Sequence, residues 1–442
     1  MKKLLTSLTA LSMLALAACG GGASQQASQP AAGKPTKQEA PATQPAGSGE
    51  KKVLEFWYKD PGEMEKIFLE TVDKFEEKHP DVELKALRIP NDAYKQKLAV
   101  SMSGGNPPDI FVSWGGGWLK AFAEAGNVLD ITGKFDESRF NKLALNNTIF
   151  NDKVYGLPLA ISLTHFYYNK EIFAKYNLTP PKTWDELVNA IETLKKNNVI
   201  PIALANKTKW PGAYYLMYFA DRIGSEKLFL DAFHRNGRGF DDPEYVKAGE
   251  YIQKLVDMEA FNPGFNGVPW DAGQGRQLMY SGQAAMLLIS NSFINNIRDE
   301  NPEYEKKVDF FPFPSIPGGK GDPTNLGVNT SPVWSVSSTS KYPDLAVEFI
   351  NDLTSVETAQ AFADRTGYVT TINGVNYSDP IVKKLAEQLE KANAVHFPYD
   401  QTIPPELAEL HKDTTQAIFG KSMTPEEAAK QMEAKAKTIL DK

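Results

Sequence analysis

The chain has 442 residues, a formal net charge of −7, 42% hydrophobic and 11% aromatic residues, and a single cysteine, Cys19. The acidic balance argues against a nucleic-acid partner and against charge-driven docking on anionic lipid. One cysteine near the N-terminus leaves the rest of the chain without disulfides, zinc thiolates, redox thiols or a cysteine nucleophile.

Taken in chain order, Lys2 and Lys3 precede an apolar run from Leu4 to Leu16 that is too short for a stable membrane span. It ends in "LAAC" at 16–19, a lipobox, before whose cysteine a signal peptidase cuts. Residues 1–18 are therefore expected to be a lipoprotein signal peptide. Fatty acyl chains on Cys19, palmitate among them, would hold the protein on the outer face of a bacterial cell membrane, each buried methylene contributing about 0.8 kcal/mol. From Gly20 to about Lys52 no apolar residue is larger than alanine. Residues 19–52 thus read as the lipidated cysteine and a disordered tether with a reach of about 30 Å. No later apolar run is long enough to cross a membrane.

The remaining residues exceed one ordinary core and suit two lobes. "VLEFWYK" reads as a strand. "GEMEKIFLETVDKFEEKHP" places Met64, Phe68, Val72 and Phe75 on one helical face, and "VELKALRI" is a second strand. Asn91 or Asp92 is the expected cap of a helix ending at Gly104-Gly105. Asp109 to Trp114 is a third strand. This alternation predicts a parallel α/β sheet with ligands beyond the carboxyl ends of its strands, where Trp57-Tyr58 and Trp114-Gly115-Gly116 fall. Further on, "DKVYGLPLAISLTHFYYNKEIFAKY" reads as a strand, a crossing and a strand entering a helix. Thr183 with Glu186 forms an expected capping box. "GQAAMLLIS" is a buried strand, and "VDFFPFPSIPG" is extended and suited to another crossing. Helices are expected at 343–354, 379–394, 404–419 and over "TPEEAAKQMEAKAKTIL".

No GxSxG, HExxH, phosphate-loop or GxGxxG motif is present, and the five histidines (79, 165, 234, 396 and 411) show no metal-ligand spacing. No catalytic group, metal or cofactor is therefore expected. A glycoside hydrolase, which needs only two carboxylates, remains the alternative. The seven tryptophans carry more information. Trp184 and Trp334 fit structural positions, and Trp118 fits either core or ligand. Trp57 and Trp114 end strands at the expected crevice, while Trp210 and Trp270 sit in Gly/Pro-containing loops, so all four are candidate ligand contacts. Indoles stack on the C–H faces of pyranose rings, and sugar hydroxyls need polar partners. Gly115 and Gly116 would let the backbone approach such a ring. Tyr368, following Gly367, and the loop carrying His396, Asp400 and Gln401 add candidate polar contacts.

"LAAC", "FLETVDKFEEKHPDVEL", "PPDIFVSWGGGWLKAFAEAGNVLDIT", "PPKTWDEL", "YSGQAAMLL", "PDLAVEFINDLTS" and "MTPEEAAKQMEA" follow one another in an order that resembles extracellular solute-binding proteins of ABC importers, family 1, the carbohydrate-binding group. The resemblance covers the whole chain. It implies an α/β fold of two lobes, each a mixed sheet flanked by helices, joined by a hinge of two or three crossings. Residues 53–159 with 313–357 would form the N-terminal lobe, and 160–312 with 358–442 the C-terminal lobe. The crossings would lie near 158–162, 308–314 and 355–360. "SWGGGW" and "YDQTIPPEL" look like those of members that bind xylo-oligosaccharides or raffinose-type sugars. Where relatives carry a ligand-facing indole after the "AAM" strand, this chain has Asn291 and Ser292, so an amide is expected to bond the sugar there. The implied partners are an oligosaccharide and the membrane subunits of an ABC permease, with the receptor itself a monomer. The same fold with a peptide, polyamine or anion as ligand is a further alternative.

Overall fold

The computed structural model describes residues 51–441; the expected signal peptide, Cys19 and nearly all of the tether lie outside the described residues. β1 (Lys52–Tyr58) leads through Gly62 into α1 (Glu63–Lys78). The apolar spacing of α1 does what it predicts: Met64, Phe68, Val72 and Phe75 are buried, with Ile67 and Thr71 beside them. β2 (Val82–Arg88) follows, then α2 (Asn91–Ser103), β3 (Ile110–Ser113) and α3 (Gly116–Glu124). β1 lies between β2 and β3 with all three parallel, so their carboxyl ends share one edge of the sheet. The α2 cap differs from expectation. Pro90 occupies the cap position without a side-chain cap bond, because the Asp92 carboxylate is used elsewhere, as described below.

A short hairpin pairs Ile149–Phe150 with Lys153–Val154, and the chain then runs through β4 (Leu157–Pro158) into the ten-residue β5 (Ala160–Asn169). β5 is the spine of a second sheet. β6 (Ile200–Ala203) pairs in parallel with β7 (Ala284–Ser290), and β7 pairs antiparallel with β5. β8 (Val308–Phe311) and β9 (Leu326–Thr330) both run antiparallel to β5. Only at β10 (Val333–Val336) does the chain return to the first sheet, between β3 and β4. β11 (Val369–Thr370) rejoins β5, and β12 (Val395–His396) edges β9.

Two of the three expected crossings therefore move. The first, at Leu159–Ala160, is where the sequence placed it. The "VDFFPFPSIPG" stretch does not cross: Phe311 and Phe313 stack with Phe166, and Phe313 lies flat on Tyr218 at 4.8 Å. That aromatic packing keeps 313–330 with the second sheet instead of the first. The second crossing falls at Ser331–Pro332. The third falls near 367–372 instead of 355–360, because the Val356–Thr366 helix buries Ala359 and Phe362 in the core of the first lobe. The three crossings run side by side: Leu159 N donates to Pro332 O, Ser331 N to Ala160 O, and Thr371 N to Leu159 O, at 2.9, 3.1 and 2.9 Å.

Each lobe has its own apolar core. Phe56, Phe68, Trp334 and Phe349 interlock in the first, with Trp334 fully buried as its strand position predicts. Trp184 packs edge-on against Tyr251 at 4.7 Å in the second. Thr183 caps its helix through Glu186 N, but the Glu186 carboxylate reaches Lys182 N, so the reciprocal bond of a capping box is absent there. The complete capping box is at Thr424 and Glu427. No helix among the described residues is long and apolar enough to cross a membrane.

Candidate functional site

The ends of β1, β2 and β3 face the second sheet across a cavity of about 1150 Å³. The first lobe contributes Lys59 and Asp60 after β1, Arg88 at the end of β2, one face of α2 with Asp92 and Lys95, and Trp114 and Trp118 around β3. The second lobe contributes Trp210, Tyr214, Trp270, Arg276, Asn295 and Asp400 among others. Ser162, Asn329, Ser331 and Tyr368 come from the crossings and form the floor. Parallel strands collect these residues because each chain leaves the sheet on the same side.

Of the residues singled out from the sequence, the cavity gathers Trp114, Trp210, Trp270, Tyr368, Asp400 and Gln401, and Trp118 with them. Trp57, Gly115, Gly116, Asn291 and His396 are placed elsewhere. Trp57 is half-buried on the flank of the first sheet with Lys97 Nζ 5.4 Å above its ring, because its strand position points away from the crevice. Gly115 and Gly116 do let a backbone come close, but to protein. A Cβ on Gly115 would stand 2.7 Å from Asn147 O, one on Gly116 2.5 Å from Gln401 O, and one on Gly117 2.5 Å from Ile403 O. The glycine run is thus the seat for the Asp400–Ile403 segment of the other lobe.

Asn291 is fully buried, and both ends of its amide are used: Oδ1 accepts from Leu163 N at 2.8 Å and Nδ2 donates to Gly367 O at 2.7 Å. It ties β5 to the third crossing and has no reach into the cavity. His396 is buried with Nε2 2.6 Å from Asp221 Oδ1, beneath the second sheet. A loop between helices would have exposed it, but its residues form an edge strand on β9 instead.

The charged groups of the cavity are organised in pairs. Lys59 meets Asp60 at 2.5 Å, Lys95 meets Asp400 at 3.1 Å across the lobes, and Arg276 meets Glu300 at 2.6 Å. Arg88, Lys209 and Lys412 likewise have acidic partners. Burial alone would raise the Asp400 carboxyl, but Lys95, Lys412 and His411 around it outweigh that and hold it below the usual range. Burial lowers the Lys95 ammonium despite Asp400, and burial brings His411 down to about 4. The Trp114 ring carries Lys95 Nζ 4.8 Å and Lys59 Nζ 5.7 Å from its centroid, and Lys95 stands 5.1 Å from Trp118. The Arg276 guanidinium covers Trp270 at 4.9 Å. Among the described residues no such cation stands over Trp210, which meets Trp270 edge-on at 5.5 Å.

Several buried polar atoms on the cavity wall have no partner within the protein: Asp60 Oδ2, Asn295 Oδ1, Asn329 Oδ1, Ser331 Oγ and Gln401 Oε1. Buried polar atoms are ordinarily paired. An array dominated by acceptors, on walls whose cations are already neutralised, fits a ligand that brings hydroxyl donors and no charge. Asp60 and Lys95 escaped the sequence reading, though "YKDP" directly follows the first strand and marks the crevice by position. Asn295, Asn329 and Ser331 carry no local signal, since only the folding of the crossings brings them to the floor.

The model of the bacterial extracellular solute-binding protein family matches residues 60–360. A protein solved in work on xylan utilization by the thermophilic bacterium Caldanaerobius polysaccharolyticus is 31% identical, with a TM-score of 0.82 over 87% of this chain and 99% of that one. A chitin oligosaccharide binding protein, 24% identical, superposes with a TM-score of 0.81 over 89% of this chain and 100% of its own. The multiple sugar-binding protein of Streptococcus mutans is 25% identical over 336 residues, 74% of this chain and 77% of that protein.

Proposed function

The chain belongs to the bacterial extracellular solute-binding proteins, which are binding components and not enzymes, and from that premise we propose that it is the membrane-tethered receptor of an ABC importer that captures a neutral oligosaccharide between its lobes and delivers it to the permease. The observation that carries the sugar reading is the cavity wall itself: indoles beside buried acceptors that have no protein partner. Trp210, which has no cation over its ring among the described residues, would offer its apolar face to a pyranose ring, with Trp270 and Trp114 lining the wall beside it. Asp60, Asn295, Asn329 and Gln401 accept from hydroxyls, and Tyr368 closes the floor. A cavity of about 1150 Å³ exceeds the ~300–1,000 Å³ typical of small-molecule sites, which favours two or more rings over one. The relative from xylan utilization makes xylo-oligosaccharides the first series to try. Every lining cation has an acidic partner, which disfavours phosphate, sulfate or uronate. The tether and an acylated Cys19 would keep the receptor within reach of the permease.

Thermal unfolding against xylo-, malto- and cello-oligosaccharides, raffinose and chitobiose tests the reading, with peptide, spermidine and phosphate as controls. A sugar at a hundred times its dissociation constant adds about 2.7 kcal/mol, so one series should raise the melting temperature alone. A response to a control and to no sugar would overturn the sugar assignment. Sustained hydrolysis of any sugar would overturn the receptor assignment. Replacing Cys19 with serine should release the protein from the membrane fraction, and retention there would sink the lipid anchor.

A further inference from the structure

α2 begins at the cavity rim, and the carboxylate of its first acidic residue bonds to the other lobe. Asp92 Oδ2 accepts from Asp271 N at 3.1 Å, and Asp92 Oδ1 accepts from the Trp210 indole Nε1 at 3.3 Å. In return, Asp92 N, one of the free amides at the start of the helix, donates to Asp271 Oδ2 at 2.7 Å. Both partners belong to the second lobe. Asp271 follows Trp270, which packs edge-on against Trp210 and is held from behind by Arg276, whose guanidinium donates to Trp270 O at 2.9 Å and pairs with Glu300. The two indoles of the second lobe are therefore linked to each other and, through one carboxylate, to the first lobe.

We propose that Asp92 is a positioning residue that orients the Trp210 indole from across the cleft, so that the aromatic wall facing the ligand is completed only when the lobes meet. The proposal rests on the sugar reading above for its ligand, but on the contacts alone for its mechanics. With the lobes apart, the Trp210 N–H loses this acceptor and its ring keeps only the edge contacts with Tyr214 and Trp270. With the lobes together, the indole face is fixed before it is needed for stacking, and the entropy of ordering it is met once, at closure. The clasp places two carboxylates near each other; burial raises the Asp271 carboxyl above its ordinary range, the bond from the Asp92 amide pulls it back, the Asp92 carboxylate adds to the rise, and Lys59 and Arg276 oppose it. A receptor that must surrender its cargo needs such a contact, one that adds to closure without causing it.

The test compares wild type with Asp92→Ala, Asp92→Asn, Trp210→Phe and the Asp92→Asn/Trp210→Phe pair. Its readouts are tryptophan-fluorescence kinetics with the responding sugar and amide exchange at Asp271. Trp210→Phe keeps an aromatic face but has no N–H for Asp92 to bond. Sugar dissociation from Asp92→Ala should be about tenfold faster, the loss of a charge-assisted bond, with association nearly unchanged and with ligand-free stability intact. Asp92→Asn should cost far less in the Trp210→Phe background than in wild type. Additive losses, or a dissociation rate equal to wild type, would overturn the proposal. If no sugar binds the wild type, the sugar reading falls. Exchange at the Asp271 amide in the ligand-free protein then decides the clasp: faster in Asp92→Ala supports it, and no difference overturns it.

Discussion

Two of the contacts between the lobes are made of opposite materials. On one side Gly116 and Gly117 receive the backbone of Gln401–Ile403, and Lys95 reaches Asp400 beneath it. On the other, Asp92, Asp271 and Trp210 meet through side chains and helix-end amides at the rim. The first contact is backbone against backbone, where a single methyl has no room. The second is polar and adjustable. Sequence patterns announce the first as a glycine run, whereas the second is written as isolated acids and indoles far apart in the chain.

The largest break is expected at the buried pair. Asp400→Ala leaves the Lys95 and Lys412 ammonium groups without their central carboxylate. The cost should be about 3 kcal/mol, the lower end for a buried pair, because the Lys95 side chain keeps 20% of its surface exposed. Denaturant unfolding and sugar titration should both register it, and a change in neither would mean the pair is screened by solvent. Next comes Gly117→Ala, whose methyl would sit 2.5 Å from Ile403 O and 2.6 Å from Thr402 O. Overpacking of about 1–3 kcal/mol falls on the state in which the segments touch, so the sugar-induced melting shift should shrink or vanish. A full shift would show that the seam slackens readily.

Trp210→Ala sharpens the other side. Loss of a stacking face should weaken sugar binding by about 1 kcal/mol, read by calorimetry. An unchanged affinity would move the stacking role to Trp270 or Trp114. The smallest effect at neutral pH comes from His411, which lies beside Asp400 and is brought down to about 4 by burial. The folded protein holds this imidazole neutral, while the unfolded chain protonates it near 6.5. The folded form therefore binds fewer protons between pH 6.5 and 4. Stability should be undiminished above 6.5 and fall on acidification through that window, by at most about 1.4 kcal/mol per pH unit for this one group. His411→Asn should flatten that slope and leave pH 7 nearly unchanged; an identical acid limb would assign the loss to His165, which burial also brings to about 4.

Much of this was legible from residue order. Three strands alternating with α1 and α2, the buried face of α1, the "AAMLLIS" strand and the late helices all follow from local periodicity, because an apolar stripe needs only its own spacing to choose a face. The crevice at the strand ends follows too, and with it Trp114 and the loop of Asp400. The reading failed where a residue's role depends on a distant partner. Asn291 has the chemistry of a sugar ligand, yet Leu163 N and Gly367 O claim both of its ends. Gly115 and Gly116 have the freedom to admit a ligand, yet Asn147 and Gln401 occupy that space. His396 lies in a loop by composition, yet Val395 and His396 pair with Leu326 and Gly327 as an edge strand.

The sequence by itself therefore determined the alternation of elements and the side of the first sheet on which the cavity opens, since each rests on neighbours a few residues apart. Tertiary structure alone decided the register of the crossings, the floor of Asn329 and Ser331 and the clasp at Asp92, because hydrogen-bond partners are chosen by distance in space and not along the chain.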